Sequence, residues 1–107
     1  MIVLTNGVFD LFHAGHANLL GQCRELATYK GSVVVALNSD ESVRRLKGPD
    51  RPIVPEQDRK RMLEACASVD HVFLFNTEEE LITLIKNLKI DVLCKGEEYI
   101  GKPVTGS

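Results

Sequence analysis

The residues best suited to chemistry in this chain are His13 and His16, whose three-residue spacing puts two side chains on one face of a helix. They follow the run Thr5-Asn6-Gly7-Val8-Phe9-Asp10 and belong to His13-Ala14-Gly15-His16. Gly7 removes a side chain where the backbone would leave a strand, so a ligand can approach the main chain closely. Gly15 repeats that device inside a first helical turn. N–H groups near residues 13–17 would there lie unpaired at the positive end of a helix dipole, a natural anion site. Two imidazoles beside such amides can donate hydrogen bonds to phosphate oxygens and stabilise charge developing on a transferring phosphoryl group. Two other readings of the pair stay open. A histidine pair can begin a metal site, although no convincing third ligand stands nearby, and two solvent-exposed histidines need have no role. Neither a dinucleotide fingerprint nor a Walker loop is present.

The elements that must position this segment alternate along the chain. Ile2-Val3-Leu4 is a short buried strand ending at the turn-prone Asn6-Gly7. From residue 16 to about 29 the apolar residues Leu19, Leu20, Cys23, Leu26 and Ala27 recur at helical spacing, and Gly31 closes the segment. Ser32-Val33-Val34-Val35-Ala36-Leu37 is an apolar, β-branched run suited to a buried parallel strand. Asn38-Ser39-Asp40 offers capping side chains for a short helix through Val43 and Leu46. Residues 48–55 hold three of the four prolines and form a loop. A helix over 56–67 with Met62, Leu63 and Cys66 as its stripe follows, then a strand over 71–75. A helix over 78–88 with Leu81, Ile82, Leu84, Ile85 and Leu88 inward, and a strand over 90–94, complete the pattern.

This alternation predicts an α/β fold: a Rossmann-like open parallel sheet with helices on both faces and a nucleotide site at the strand C-terminal ends. Polar residues collect at those ends, over 6–16, 38–40 and 95–99. Lys47, after a short helix and before Gly48-Pro49, is a candidate mobile cation, or a solvated lysine. Arg44 and Arg45 are weaker candidates, since one of two adjacent arginines usually faces solvent. Arg59 falls in a first helical turn, where a cation opposes the dipole. That misfit points to a ligand phosphate, with an ion pair to Glu56 or Asp58 as the plainer account. Asp10 is divided equally between capping or holding the loop and meeting ligand. Phe9 would wall a nucleotide pocket, and Glu98 could reach ribose hydroxyls or stand as a surface carboxylate.

Gly7-Val8-Phe9-Asp10 and His13-Ala14-Gly15-His16, in this order after a first strand, resemble the HxGH nucleotidyltransferase (cytidylyltransferase-like) superfamily. The run 38–48, with Arg51-Pro52-Ile53 and Asp58-Arg59, is similar to the nucleotidyltransferase domain of the heptose-phosphate kinase/adenylyltransferases of lipopolysaccharide core synthesis. Cys94-Lys95-Gly96-Glu97-Glu98-Tyr99 resembles the same family's segment after its fourth strand. Glycerol-3-phosphate cytidylyltransferases match the first motif equally well and residues 42–52 less well. The resemblance implies nucleotidyl transfer from a nucleoside triphosphate, ATP in this subfamily, to a sugar phosphate such as heptose 1-phosphate, with release of pyrophosphate. CTP and glycerol 3-phosphate, a polyol phosphate, are the alternative pair, and a non-catalytic nucleotide-binding module is the alternative of another class. His13, His16 and Lys47 would be catalytic. Asn6, Gly7, Val8, Phe9, Gly15, Arg59, Gly96 and Glu98 would bind nucleotide. Magnesium would come with the triphosphate, with few protein ligands of its own. The family often forms homodimers, although no interface is identifiable here. Family members usually continue into another strand and a Ser-Thr-Thr-like turn opening a last helix. Residues 1–107 are accordingly expected to be one nucleotidyltransferase domain without those parts.

Size and composition agree with one domain: 107 residues, 44% hydrophobic and 26% charged. A net charge of −2 gives no general pull toward nucleic acid or anionic membranes, so any anion must be held locally. Cys23, Cys66 and Cys94 are odd in number and widely spaced, which favours reduced thiols and a cytoplasmic location over a disulfide framework. No signal-peptide pattern opens the sequence, and no apolar run approaches the ~20 residues of a membrane span.

Overall fold

The structure, a computed structural model, describes residues 1–94. Four parallel strands, β1 (Ile2–Gly7), β2 (Ser32–Asn38), β3 (His71–Phe75) and β4 (Val92–Cys94), form one sheet in the order β3-β2-β1-β4. The α/β expectation is met. β2 is central and has Val33 to Leu37 buried on both faces, as its unbroken apolar run requires. Register pairs Gly7 with Leu37, Asn38 with Phe75 and Thr5 with Cys94, so the C-terminal ends of all the strands share one edge. The strand order reverses direction beside β1, the kind of crevice where open α/β sheets bind ligands.

The helices α1 (Ala14–Ala27), α2 (Asp40–Lys47), α3 (Glu56–Glu64) and α4 (Glu78–Asn87) complete the described chain. On one face α1 and α3 cover the sheet. Leu20 and Leu63 pack with Phe9, Val35, Leu37 and Val72, and Cys23 and Ala27 pack with Val3 and Val33. On the other face Leu81, Leu84, Ile85 and Leu88 cover Leu4, Val34, Ala36 and Phe75. Burial, with Cys94 beside it, pushes the Cys23 thiol up to about 12, so it stays neutral and serves packing. No helix among the described residues is long and apolar enough to cross a membrane.

The sequence reading differs from the structure in a few places. α1 starts at Ala14, two residues before its periodicity becomes visible, because its N-cap is a histidine instead of the usual small polar residue. Leu26 and Ile82, assigned to inward stripes, are 49% and 38% exposed. α3 ends at Glu64, short of residue 67, and its buried residues are Leu63 and Arg59, while Met62 is 40% exposed. A charged side chain takes the core position that an apolar stripe was expected to fill.

Candidate active site

The segment joining β1 to α1 lies at the C-terminal edge of the sheet. Phe9 sits at φ 50°, a left-handed backbone conformation uncommon outside glycine, and is only 4% exposed. Its ring lies over Gly7, where a Cβ would come within 3.0 Å of Phe9 Cε2. A side chain at residue 7 would therefore crowd the Phe9 ring. The expectation that Phe9 walls a nucleotide pocket is corrected: its side chain joins the core with Leu20, Val35 and Leu37, because the positive φ turns it inward. It still serves the site, since the His16 ring rests 5.0 Å from the Phe9 ring and 5.4 Å from that of Phe12.

His13 and His16 are brought together. Their rings stack with centroids 3.9 Å apart and planes at 24°. His13 is the N-cap of α1, and its Nδ1 accepts from the Gly15 N–H at 3.0 Å. The His13 N–H in turn donates to His16 Nδ1 at 3.1 Å, which closes a reciprocal capping box made of two imidazoles. This corrects part of the anion-site expectation, because the amides of His13 and Gly15 are consumed by the cap and that of Ala17 donates to His13 O. Burial, then the neighbouring His13 charge, holds His16 below the ordinary histidine pKa of 6.5.

Arg59 is corrected as well. Its side chain is fully buried, and it donates from Nε to Val54 O at 2.9 Å and from Nη1 to both Val8 O and Asn38 O at 2.8 Å. Nη2 donates to Asp40 Oδ1 at 2.7 Å. The guanidinium is thus spent on three carbonyls and a carboxylate, and neither a ligand phosphate nor Glu56 or Asp58 is its partner. By gripping Val8 O and Asn38 O it ties the turn after β1 to the end of β2. Asp10 resolves toward holding a loop: its carboxylate accepts from Ile53 N at 2.9 Å and Val54 N at 2.8 Å, with Arg51 Nη1 at 3.7 Å. Burial raises the Asp10 pKa, but the hydrogen bonds from Ile53 and Val54 and the charges of Arg59 and Arg51 outweigh it. The net position is below 3.8. Asp40 and Glu56, whose carboxylate accepts from Asp40 N at 2.7 Å, are parts of this knot that the sequence reading did not single out. Their only signal was a position beside a cap and at the start of a helix.

The remaining candidates surround the same edge. Asn6, next to last in β1, is half-buried, and among the described residues its buried Oδ1 has no hydrogen-bond partner. Lys47 is the exposed last residue of α2, before Gly48 at φ 106°. Arg45 is tied to Glu41 and Asn76 O, whereas among the described residues Arg44 and Lys47 form no ion pair. Gly96 and Glu98 lie outside the described residues. Among the described residues no three His, Cys, Asp or Glu side chains cluster to hold a metal, and Asp10 and Asp40 are committed to loop and arginine.

A parallel sheet with an imidazole pair capping the helix after its first strand makes this an α/β protein with its candidate site at the strand C-terminal ends. The chain belongs to the cytidylyltransferase-like family, whose model matches residues 4–104. It is similar to the bifunctional protein HldE of Helicobacter pylori strain P12, 49% identical over 106 residues, which cover 99% of this chain and 22% of that protein. The bifunctional protein HldE of Magnetococcus marinus is likewise 49% identical, over 98% of this chain and 21% of that protein. The chain thus spans about a fifth of the length of these curated relatives. Among solved structures, a lipopolysaccharide core biosynthesis protein from Thermoplasma volcanium GSS1 superposes with a TM-score of 0.64 at 24% identity, covering 91% of this chain and 96% of that one. A protein of unknown function from Archaeoglobus fulgidus gives 0.61 at 14% identity, covering 99% and 96%. At such identities both show the fold alone.

Proposed function

We propose that this chain transfers the nucleotidyl group of ATP to a sugar phosphate such as heptose 1-phosphate and releases pyrophosphate. The observation that carries the reading is the stacked His13–His16 pair at the C-terminal edge of β1. An oxygen of the acceptor phosphate attacks the α-phosphorus. The bond from that phosphorus to the bridging oxygen of the β-phosphate breaks, and pyrophosphate leaves with the electron pair. Such a transfer needs positioning and charge neutralisation more than covalent catalysis. His13 and His16 donate hydrogen bonds to phosphate oxygens as charge builds, and Lys47 supplies a mobile cation. The Gly7–Val8 backbone and Gly15 allow close approach, and Asn6 offers its unpaired Oδ1 to a ligand donor. Magnesium arriving with the triphosphate would supply charge neutralisation at the phosphates, with few ligands from the protein. Support for ATP and a heptose phosphate comes from the likeness to HldE proteins over nearly the whole chain.

A pyrophosphate-release assay that crosses ATP and CTP with heptose 1-phosphate and glycerol 3-phosphate tests this. Turnover is expected with ATP and heptose 1-phosphate. Preference for CTP and glycerol 3-phosphate would replace the substrate assignment. Calorimetric nucleotide binding with no pyrophosphate from any pairing would leave a binding module and sink the enzymatic reading.

A further inference from the structure

We infer that the helix cap locks His13 and His16 in the neutral Nε2–H tautomer, and that Gly15 is the positioning residue that permits the lock. A ring nitrogen that accepts an N–H hydrogen bond carries no proton of its own. His13 Nδ1 accepts from Gly15 N, and His16 Nδ1 accepts from His13 N, so in both neutral rings the proton resides on Nε2. In either neutral ring a proton on Nδ1 would set a donor against a donor, so the capped helix selects the Nε2–H tautomer. The neutral state of His16 is favoured further, because a charge on its ring would sit 3.9 Å from the His13 ring. Phe9 and Phe12 flank His16 with apolar surface, and burial there disfavours its charged form.

Gly15 enters through space. A Cβ at residue 15 would fall 2.8 Å from His13 Cε1 and 3.1 Å from His13 Nδ1. Any side chain there must push the ring off the amide that holds it. The glycine between the histidines thus serves the orientation of His13 as well as close approach to the backbone.

The lock rests on the proposed transfer only for its consequence. A neutral ring protonated at Nε2 can donate to a phosphate oxygen. It can neither take a proton at that atom nor attack phosphorus from it while the cap holds. The pair therefore stabilises charge, and neither ring is a general base for the acceptor or a carrier of a phosphohistidine.

Long-range 15N–1H correlation spectra of the ligand-free 15N-labelled chain near pH 8, above the ordinary histidine pKa of about 6.5, read the tautomers directly. His13 and His16 are each expected as a single Nε2–H form, with the exposed His71 as the unlocked internal comparison. An Nδ1–H form or a mixture at either position overturns the inference. In Gly15→Ala, His13 is expected to shift to a mixture while α1 amides stay protected, and an unchanged His13 pattern overturns the role of Gly15. If that variant does not fold, His13→Asn decides. Asparagine still caps the Gly15 amide and still offers its own N–H to His16, so His16 must keep its single form, and its loss overturns the lock. Absent turnover with both rings locked would count against the proposed function alone, and turnover with unlocked rings against the lock alone.

Discussion

His16 is held from three sides at once: by the His13 amide, by the stacked His13 ring and by the faces of Phe9 and Phe12. If its Nε2–H stabilises charge only as the transfer proceeds, His16→Ala should lower kcat by about 10²–10³-fold and weaken nucleotide binding far less. Steady-state kinetics beside calorimetry separates the two, and equal losses would make His16 a binding group only. A pH effect follows from its pKa, which burial first and His13 second hold below 6.5. Between the folded and unfolded values the unfolded chain binds a proton that the folded chain refuses. Stability therefore rises with pH through that window and is fully present above 6.5. Denaturant titrations above and below the window should show the loss on the acid side. His16→Gln, which keeps a capping-box side chain without a titrating group, should show a shallower slope.

At the scale of elements, Arg59 and Asp10 join the turn after β1, the end of β2 and the loop over 48–55. Arg59→Ala would strand the Val8, Asn38 and Val54 carbonyls and leave Asp40 without its cation. Unpaired buried acceptors cost about 1–3 kcal/mol each where water cannot replace the lost donor. A loss of at least ~2 kcal/mol in denaturant unfolding is expected, and Arg59→Lys, with one compact charge for a planar fork, should recover only part of it. Asp10→Ala should leave the fold in place but release the Ile53 and Val54 amides, read as faster hydrogen exchange at those two positions. Unchanged exchange there would mean that the loop is held by other contacts.

For the whole molecule, the C-terminal edge of the sheet works only while β1 and β2 stay in register under α1 and α3. Leu37 is fully buried in the cluster that also holds Phe9, Leu20 and Leu63, so one core supports both the sheet and the turn that carries the histidines. Leu37→Ala should cost ~2–5 kcal/mol in unfolding free energy. Because Phe9 loses a packing partner, the variant should also lower kcat below the folded fraction it retains. Activity that merely tracks the folded fraction would show that the turn is independent of that core.

The sequence by itself determined the order of elements, the parallel sheet and the family, since apolar periodicity and a motif of fixed spacing are local properties. It also marked His13, Gly15 and His16 as a unit, because helical spacing alone puts the histidines together. What it could not assign was which polar groups spend their hydrogen bonds inside the protein. Arg59 reads as a phosphate ligand until Val8, Asn38, Asp40 and Val54 arrive from distant stretches to occupy it. Phe9 reads as a pocket wall until a positive φ turns it into the core. The amides of His13 and Gly15 likewise read as open until the two imidazoles accept from them. Each of these depends on partners or backbone angles that sequence spacing does not encode, and only tertiary structure decided them.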